Sequence, residues 1–167
     1  MSRVEREGGV VLLVESPHKD EFEGATREPL GPLRQSQTRR NLSTHLSRSI
    51  ESAEAPRPDV DVVIANPVQF QASLVDFMVD LTVGLRPCIR NTVWKSLFSD
   101  DAVKRDFASR MRAYSPSLVV LAPTYELKRW VLNAVRDLSL PSCRLVQTTH
   151  PSYWHRVTPI VSVPAPL

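Results

Sequence analysis

The sequence has few cysteines, which excludes a domain held together by disulfides and a domain built around a CxxC metal site. It contains two cysteines among 167 residues. Cys88 and Cys143 are far apart, so they form neither a CxxC metal site nor a disulfide framework. We therefore expect two half-buried thiols without a functional role, no bound metal and no cofactor.

Long apolar runs are also lacking. No run approaches the roughly 20 residues that a membrane-spanning helix needs, and the N-terminal segment MSRVEREGG lacks the apolar core of a signal peptide. A cytoplasmic protein without a membrane partner is expected. The length of 167 residues and the hydrophobic share of 42% are those of one globular domain spanning residues 1–167.

The charge balance is slightly basic, with a formal net charge of +3. Such a balance is compatible with a nucleic-acid partner, but many enzymes with other substrates are equally basic. The distribution is more informative, because residues 27–57 contain arginine but no lysine. A planar guanidinium suits phosphate better than an ammonium does, although a solvated helix face explains the pattern equally well. The six arginines are Arg27, Arg34, Arg39, Arg40, Arg48 and Arg57.

Four short apolar runs predict the strands of a sheet. They cover residues 10–14, 60–65, 118–122 and 144–149. The first three are continuous and rich in β-branched residues, which is typical of strands covered on both faces, as in a parallel sheet.

Segments with helical spacing lie between these runs. Apolar residues recur at helical intervals in residues 33–50, 74–81 and 127–138, and a further helix is expected over residues 97–111. Thr124, preceded by Pro123, is a suitable N-cap for the segment 127–138. Alternating strands and helices predict an α/β protein: a three-layer α/β/α sandwich around a four-stranded, mainly parallel sheet.

Polar and aromatic residues come directly after the predicted strands in the sequence. Ligands of open α/β sheets bind at the carboxyl ends of the strands. The segments to consider are ESPHKDEF after the first run, NPVQFQ after the second, PTYE after the third and HPSYWHR after the fourth. A functional site is expected where these segments meet.

The order of these segments resembles that of the uracil-DNA glycosylase superfamily. Glu15-Ser16-Pro17-His18 stands where family members have a water-activating motif such as QDPYH, GEAPG or GINPG, and Glu28-Pro29-Leu30-Gly31 looks like the PFVG segment of the GEAPG branch. Asn66 matches the asparagine that reads the flipped base, and His150-Pro151-Ser152 matches the HPS motif after the last strand. The correspondence runs from Val10 to about Arg156.

The departures from the family pattern imply an unusual base. Ser16 replaces the water-activating aspartate, His18 replaces the tyrosine that blocks larger pyrimidines, and Leu30 replaces the stacking phenylalanine. Two cysteines cannot hold the iron–sulfur cluster of the GEAPG branch. An anti-phage group of this superfamily removes glucosylated hydroxymethylcytosine, and the resemblance implies a similarly bulky modified pyrimidine here. Ser16, Pro17, His18, Leu30 and Asn66 are then the expected base-binding residues.

N-glycosidic hydrolysis needs a carboxylate beside the sugar and a donor for the departing base. Glu15 is the first choice for the carboxylate, with Asp20 in reserve; the alternative is that Glu15 caps a loop or pairs with an arginine. His150 is expected to be the donor, as a neutral imidazole whose tautomer a neighbour sets, although a loop histidine is often merely hydrogen-bonded. Asn66 can pair with a pyrimidine edge, and Asn before Pro is equally a turn former.

Base flipping also needs a residue that fills the gap and groups that hold the backbone. The resemblance places Trp154 as this exposed wedge, and Tyr153 beside it is expected to contact DNA by stacking on a base. The alternative is that both rings cover the end of the sheet, and Tyr153 is the likelier of the two to do so. The other expected DNA contacts are Ser152, His155, Arg156, Arg34 and Arg39. The predicted protein is a monomeric, monofunctional DNA glycosylase of phage defence. A nucleoside or deoxyribosyl transferase and an inactive DNA-binding module are the alternatives.

Overall fold

The computed structural model describes residues 8–17, 21, 37–52, 61–70 and 84–155. The expected helix over residues 74–81 lies outside these ranges. So do five residues with expected site roles, namely His18, Asp20, Leu30, Arg34 and Arg156.

The predicted parallel sheet is confirmed. Its strands are β1 (Val10–Leu13), β2 (Val62–Ala65), β3 (Leu118–Leu121) and β4 (Arg144–Gln147), and all of them run parallel in the order β2-β1-β3-β4. Every residue of the central strands β1 and β3 is buried, whereas the edge strands β2 and β4 are partly exposed. The strands pair in level register, Leu13 with both Ala65 and Leu121, and Leu121 with Gln147. Their carboxyl ends therefore meet at one edge.

Helices cover both faces of the sheet, as the sandwich prediction requires. They are α1 (Gln37–Ser52), α2 (Leu85–Ser99), α3 (Asp101–Tyr114) and α4 (Tyr125–Asp137). Alternate strand residues divide between two apolar clusters, because successive side chains of a strand point to opposite faces. Val10 and Leu12 share one cluster with Leu42 of α1, while Val11 and Leu13 share the other with side chains of α2, α3 and α4. No helix in the described ranges is long and apolar enough to span a membrane.

The single helix expected over residues 97–111 is wrong, because the chain breaks there into α2 and α3. Asp100 lies between them in an extended conformation with φ −66° and ψ 131°. Its carboxylate accepts hydrogen bonds from the backbone of Ala102 at 2.7 Å and Val103 at 3.3 Å. Such an N-cap satisfies free amide groups of the following helix, so the aspartate favours a new helix start over continuation.

Trp154 is not the exposed wedge that the sequence suggested. Its side chain is 2% exposed and belongs to the α1-side cluster, and its Nε1 donates to the carbonyl of Thr149 at 2.9 Å. Tyr153, which the alternative interpretation made the likelier of the two rings to cover the sheet, is 50% exposed. A short 3-10 helix over Pro151–Tyr153 explains the difference between the two rings. Residues three apart eclipse each other in this helix, so Trp154 faces inward with the buried Pro151 and Tyr153 faces outward.

We expect Trp154→Ala to lower the free energy of unfolding by about 3–5 kcal/mol, the usual cost of truncating a buried tryptophan. Tyr153→Ala should change it by about 0.5 kcal/mol or less. Trp154→Phe should lie between them, since it keeps a ring but leaves the Thr149 carbonyl without its donor. Urea unfolding followed by circular dichroism measures all three. Equal stability of the two alanine variants would contradict the buried position of Trp154.

Candidate active site

A cleft of about 440 Å³ opens at the carboxyl edge of the sheet. Its walls come from α2, from the segment joining β3 to the first turn of α4, and from the segment after β4. A second cavity of about 520 Å³ is lined by residues of α2, α3 and α4 and contains no strand-end residue. The first cleft is therefore the candidate site, because the predicted chemistry lies at the strand ends. Its lining residues are Pro87, Arg90, Asn91, Pro123, Thr124, Tyr125, Glu126, Lys128, Thr149, His150 and Tyr153.

Glu15 follows β1 and lies behind the cleft wall. It is 9% exposed and is not among the residues that line the cleft. Its Oε1 accepts a hydrogen bond from the backbone N–H of Thr124 at 2.6 Å, and its Oε2 lies 3.9 Å from Nη1 of Arg90. The sequence left open that Glu15 caps a loop or pairs with an arginine, and these contacts show it doing both. They also place a negative charge directly beneath the cleft.

Arg90 and Asn91 of α2 connect Glu15 to a second carboxylate. Arg90 donates from Nε at 3.0 Å and from Nη2 at 2.8 Å to Oδ1 of Asn91, and Nη2 also reaches Oγ1 of Thr124 at 3.2 Å. Asn91 is buried and donates from Nδ2 to Oε2 of Glu126 at 2.6 Å. The Thr124 side chain accepts from Arg90 and makes no capping bond, although Thr124 is the N-cap of α4 as predicted.

His150 lines the cleft after β4, and its surroundings determine its tautomer. Its Nδ1 accepts a hydrogen bond from the backbone N–H of Ser152 at 3.2 Å, and Oγ of Ser152 lies 2.8 Å from the same atom. A backbone amide only donates, so Nδ1 must carry the lone pair and the neutral ring holds its proton on Nε2. Within the described part of the chain, no group accepts a hydrogen bond from Nε2.

The charges around His150 favour the neutral ring. Burial lowers the pKa of His150 below its ordinary value of 6.5, and the charges of Arg90 and Lys128 lower it further. The negative charge of Glu15 acts in the opposite direction and raises this pKa. Because desolvation is the largest of these effects, the imidazole is neutral near pH 7 and offers Nε2–H as a donor.

Lys128 brings an amine into the same cleft from the first turn of α4. Its Nζ donates to the carbonyl oxygen of Thr148 at 2.7 Å, and its side chain is half-buried. Burial lowers the pKa of the Lys128 ammonium from its usual value. No carboxylate in the described ranges pairs with this ammonium.

The other expected site residues are distributed around the strand ends. Ser16 is half-buried and Pro17 is buried directly after Glu15. Asn66 follows β2 and is not among the described residues that line the cleft; its Oδ1 is buried and has no hydrogen-bond partner in the described part of the chain. The Asn66 carbonyl accepts from Gln69 Nε2 at 2.8 Å and from Arg110 Nη1 at 3.1 Å.

The expected DNA contacts divide into exposed and engaged side chains. His155 is exposed, with Nδ1 lying 3.4 Å from Nδ2 of Asn41, and Arg39 is exposed on α1. Ser152 is occupied with His150. Tyr153 is the exposed aromatic residue of the HPSYWHR segment, and it lines the cleft.

Four lining residues were missed from the sequence: Arg90, Asn91, Glu126 and Lys128. The segment PTYE after the third apolar run was a usable signal for Glu126, because it is a strand-end segment that carries a carboxylate. Arg90 and Asn91 carried no such signal, since they lie inside a helix whose start the apolar spacing did not predict.

Comparisons with protein-family models, curated proteins and solved structures find no match for this chain. The resemblance to the uracil-DNA glycosylase superfamily therefore stays a prediction from the sequence.

The electrostatic arrangement predicts the titration of His150. In ¹H–¹⁵N spectra the ring should be the Nε2–H tautomer, with a pKa below 6.5. Glu15→Gln should lower this pKa further, because it removes a charge that raises it, and Lys128→Met should raise it. Glu126→Gln serves as a control, since Glu126 is not among the charges that shift His150. A proton on Nδ1 in the neutral ring, or a rise of the pKa in Glu15→Gln, would contradict the assignment.

Proposed function

We propose that the cleft hydrolyses the N-glycosidic bond of a nucleotide in DNA, releasing the base and leaving an abasic site. The observation that carries this proposal is the hydrogen bonding of His150, a residue that lines the cleft. The Ser152 backbone N–H occupies Nδ1, so the neutral ring carries its proton on Nε2, and the charge of the buried Glu15 acts on the same ring. A donor and a carboxylate at one strand-end cleft are the groups that this reaction requires.

The proposed chemistry assigns the two developing charges to these groups. As the C1′–N bond breaks, its electron pair moves to the base, and His150 Nε2–H hydrogen-bonds the base atom that becomes negative. Positive charge develops on the sugar, and the fixed carboxylate of Glu15 stabilises it through space. Water then bonds to C1′ and loses a proton, with no covalent enzyme intermediate. The protein is accordingly monofunctional.

A second carboxylate is better placed to accept the proton from water. Both oxygens of Glu15 face protein groups, whereas Glu126 lines the cleft and engages Asn91 through Oε2. Oε1 of Glu126 has no hydrogen-bond partner in the described ranges. We therefore assign charge stabilisation to Glu15 and the water proton to Glu126, two roles that the sequence had given to one residue.

The proposed substrate is a bulky modified pyrimidine, such as glucosylated hydroxymethylcytosine in phage DNA. The sequence resemblance supports this choice, and the cleft volume of about 440 Å³ lies within the range of small-molecule sites. Tyr153, with its exposed ring at the cleft, takes the role of the stacking aromatic that Trp154 cannot fill. Arg39 and His155 remain as exposed groups for the phosphate backbone.

Transfer or hydrolysis on free nucleosides is the second candidate, and the burial of Trp154 favours it. A glycosidase acting on free nucleosides needs neither a wedge nor a basic helix, so the burial of Trp154, the expected wedge, removes one argument for duplex DNA. The chemistry of Glu15, Glu126 and His150 is the same in either case.

Variants of the three proposed groups should lose activity to different extents on DNA that the wild type cleaves. Substrates come from a panel of genomic DNAs with natural and hypermodified bases, and abasic sites are counted with an aldehyde-reactive probe. His150→Ala should be about 100- to 1,000-fold slower, the usual loss for such a donor, and His150→Gln should retain part of the rate. Glu15→Gln and Glu126→Gln should both be slower, whereas Asp101→Asn on α3, an exposed carboxylate outside the cleft, should match the wild type.

The pH profile adds an independent check. The rate needs a neutral His150, so its acid limb should lie below pH 6.5. Wild-type rates in His150→Ala, or abasic sites that form equally with all variants, would refute the proposed chemistry.

Salt separates the two candidate substrates. If DNA is the substrate, the base-release rate at low DNA concentration should fall steeply as KCl rises from 50 to about 200 mM, because backbone contacts release counterions. Cleavage of a free, uncharged nucleoside should change little over the same range. A flat profile on DNA together with efficient nucleoside cleavage would favour the second candidate over the first.

A further inference from the structure

Lys128 is a cation with no anionic partner among the residues that the structure describes. Of its three N–H donors, one is used by the carbonyl of Thr148 at 2.7 Å. The nearby Arg90 differs, because it faces Glu15 and donates to Asn91 and Thr124. Glu126, the carboxylate that lines the cleft, accepts from Asn91 and forms no ion pair with Lys128. The ammonium thus has two N–H groups to offer to a ligand.

The position of this half-buried ammonium carries a free-energy cost. A charged group that is partly withdrawn from water costs free energy unless a counter-charge or hydrogen bonds compensate it. The lowered pKa of Lys128 reflects this cost. An anion entering the cleft would remove the penalty, whereas a neutral ligand would not.

A second donor lines the same cleft. His150 carries its ring proton on Nε2, Lys128 carries an ammonium, and the charge of Lys128 acts on the imidazole. An oxyanion with several acceptor oxygens can bind both groups, as phosphate does with combined lysine and imidazole donors. Two exposed tyrosines, Tyr125 and Tyr153, line the cleft as well and offer faces for a planar ring.

We propose that Lys128 makes the cleft an oxyanion site that binds a phosphate of the substrate, so that the preferred substrate is a phosphorylated deoxyribose unit. The identity of the sugar rests on the proposed function; the oxyanion site rests on Lys128, His150 and their surroundings. The phosphate can belong to a DNA strand or to a free 5′-nucleotide, and the two sources are distinguished by experiment.

Binding without turnover tests the site independently of catalysis. Isothermal titration calorimetry compares 2-deoxyribose 5-phosphate with 2-deoxyribose, inorganic phosphate and an oligonucleotide carrying an abasic site. The wild type should bind the phosphorylated sugar at least tenfold more tightly than the neutral sugar. Tighter binding of the oligonucleotide than of the free sugar phosphate identifies DNA as the source of the phosphate, and the reverse order identifies free nucleotides.

Matched variants assign the binding to Lys128. Lys128→Met keeps the aliphatic stem and should weaken binding of the phosphorylated sugar by about 10- to 100-fold, the usual value of a charge-assisted hydrogen bond. Lys128→Arg keeps the charge and should retain most of the affinity. Lys104→Met is the control, because Lys104 pairs with Asp101 at 3.9 Å and lies outside the cleft. Circular dichroism verifies that each variant is folded.

A pH series separates a binding role from a structural one. As the pH rises, the wild type should lose its affinity with a midpoint below pH 10.5, because Lys128 gives up its proton there. Lys128→Arg should keep its affinity to higher pH, because the guanidinium stays charged. The other charged or titratable groups at the cleft, namely Glu15, Arg90, Tyr125, Glu126, His150 and Tyr153, are the same in both proteins, so only the difference between the two profiles reports on Lys128.

The outcomes distinguish this inference from the proposed function. Lys128-dependent binding of the sugar phosphate, with no base release from any DNA, supports the oxyanion site and refutes the proposed DNA glycosylase. Base release by the wild type, with equal sugar-phosphate binding by wild type and Lys128→Met, overturns the oxyanion site and leaves the glycosidase standing. Failure of the wild type to bind any phosphorylated probe also overturns it.

Discussion

The arrangement of the cleft depends on one hydrogen bond, from the backbone N–H of Thr124 to Oε1 of Glu15. It joins the end of β1 to the start of α4. The first turn of α4 also carries Glu126 and Lys128. The hydrogen bond to Glu15 therefore helps to fix the positions of these two side chains in the cleft. A buried carboxylate is costly unless hydrogen bonds and a counter-charge compensate it. Thr124 and Arg90 supply both, and the charge that remains acts on His150.

The segment after β4 serves the core and the cleft at the same time. Trp154 packs in the apolar cluster that contains Leu42 of α1, and Asn41 of the same helix donates to the carbonyl of Pro151 at 2.7 Å. Helix α1 therefore holds the 3-10 helix in place. His150 precedes this helix, and its Nδ1 caps it by accepting from Ser152. The orientation of the imidazole is therefore a consequence of the same turn that buries the tryptophan. The geometry of the candidate site and the stability of the fold are therefore coupled in these few residues.

The sequence predicted the sheet and its parallel direction, because these follow from short-range patterns, and it also led to the choice of the candidate site. Continuous β-branched runs indicate buried strands, and level strands bring Glu15 and His150 to one edge. Contacts between distant segments were beyond such patterns: no spacing rule pairs Asn91 with Glu126 or Arg90 with Glu15. The choice between Tyr153 and Trp154 was equally out of reach, since a single turn of helix decides which ring faces inward, and both are large aromatics.

The central claim, that this cleft hydrolyses an N-glycosidic bond, is tested most directly by quantifying both products in one sample. DNA containing the modified pyrimidine is incubated with the protein, the free base is measured by mass spectrometry, and abasic sites are counted in the remaining strand. The account predicts one free base per abasic site for the wild type, and neither product for His150→Ala over the same time. Intact DNA with wild-type protein, or abasic sites without a matching free base, would contradict it.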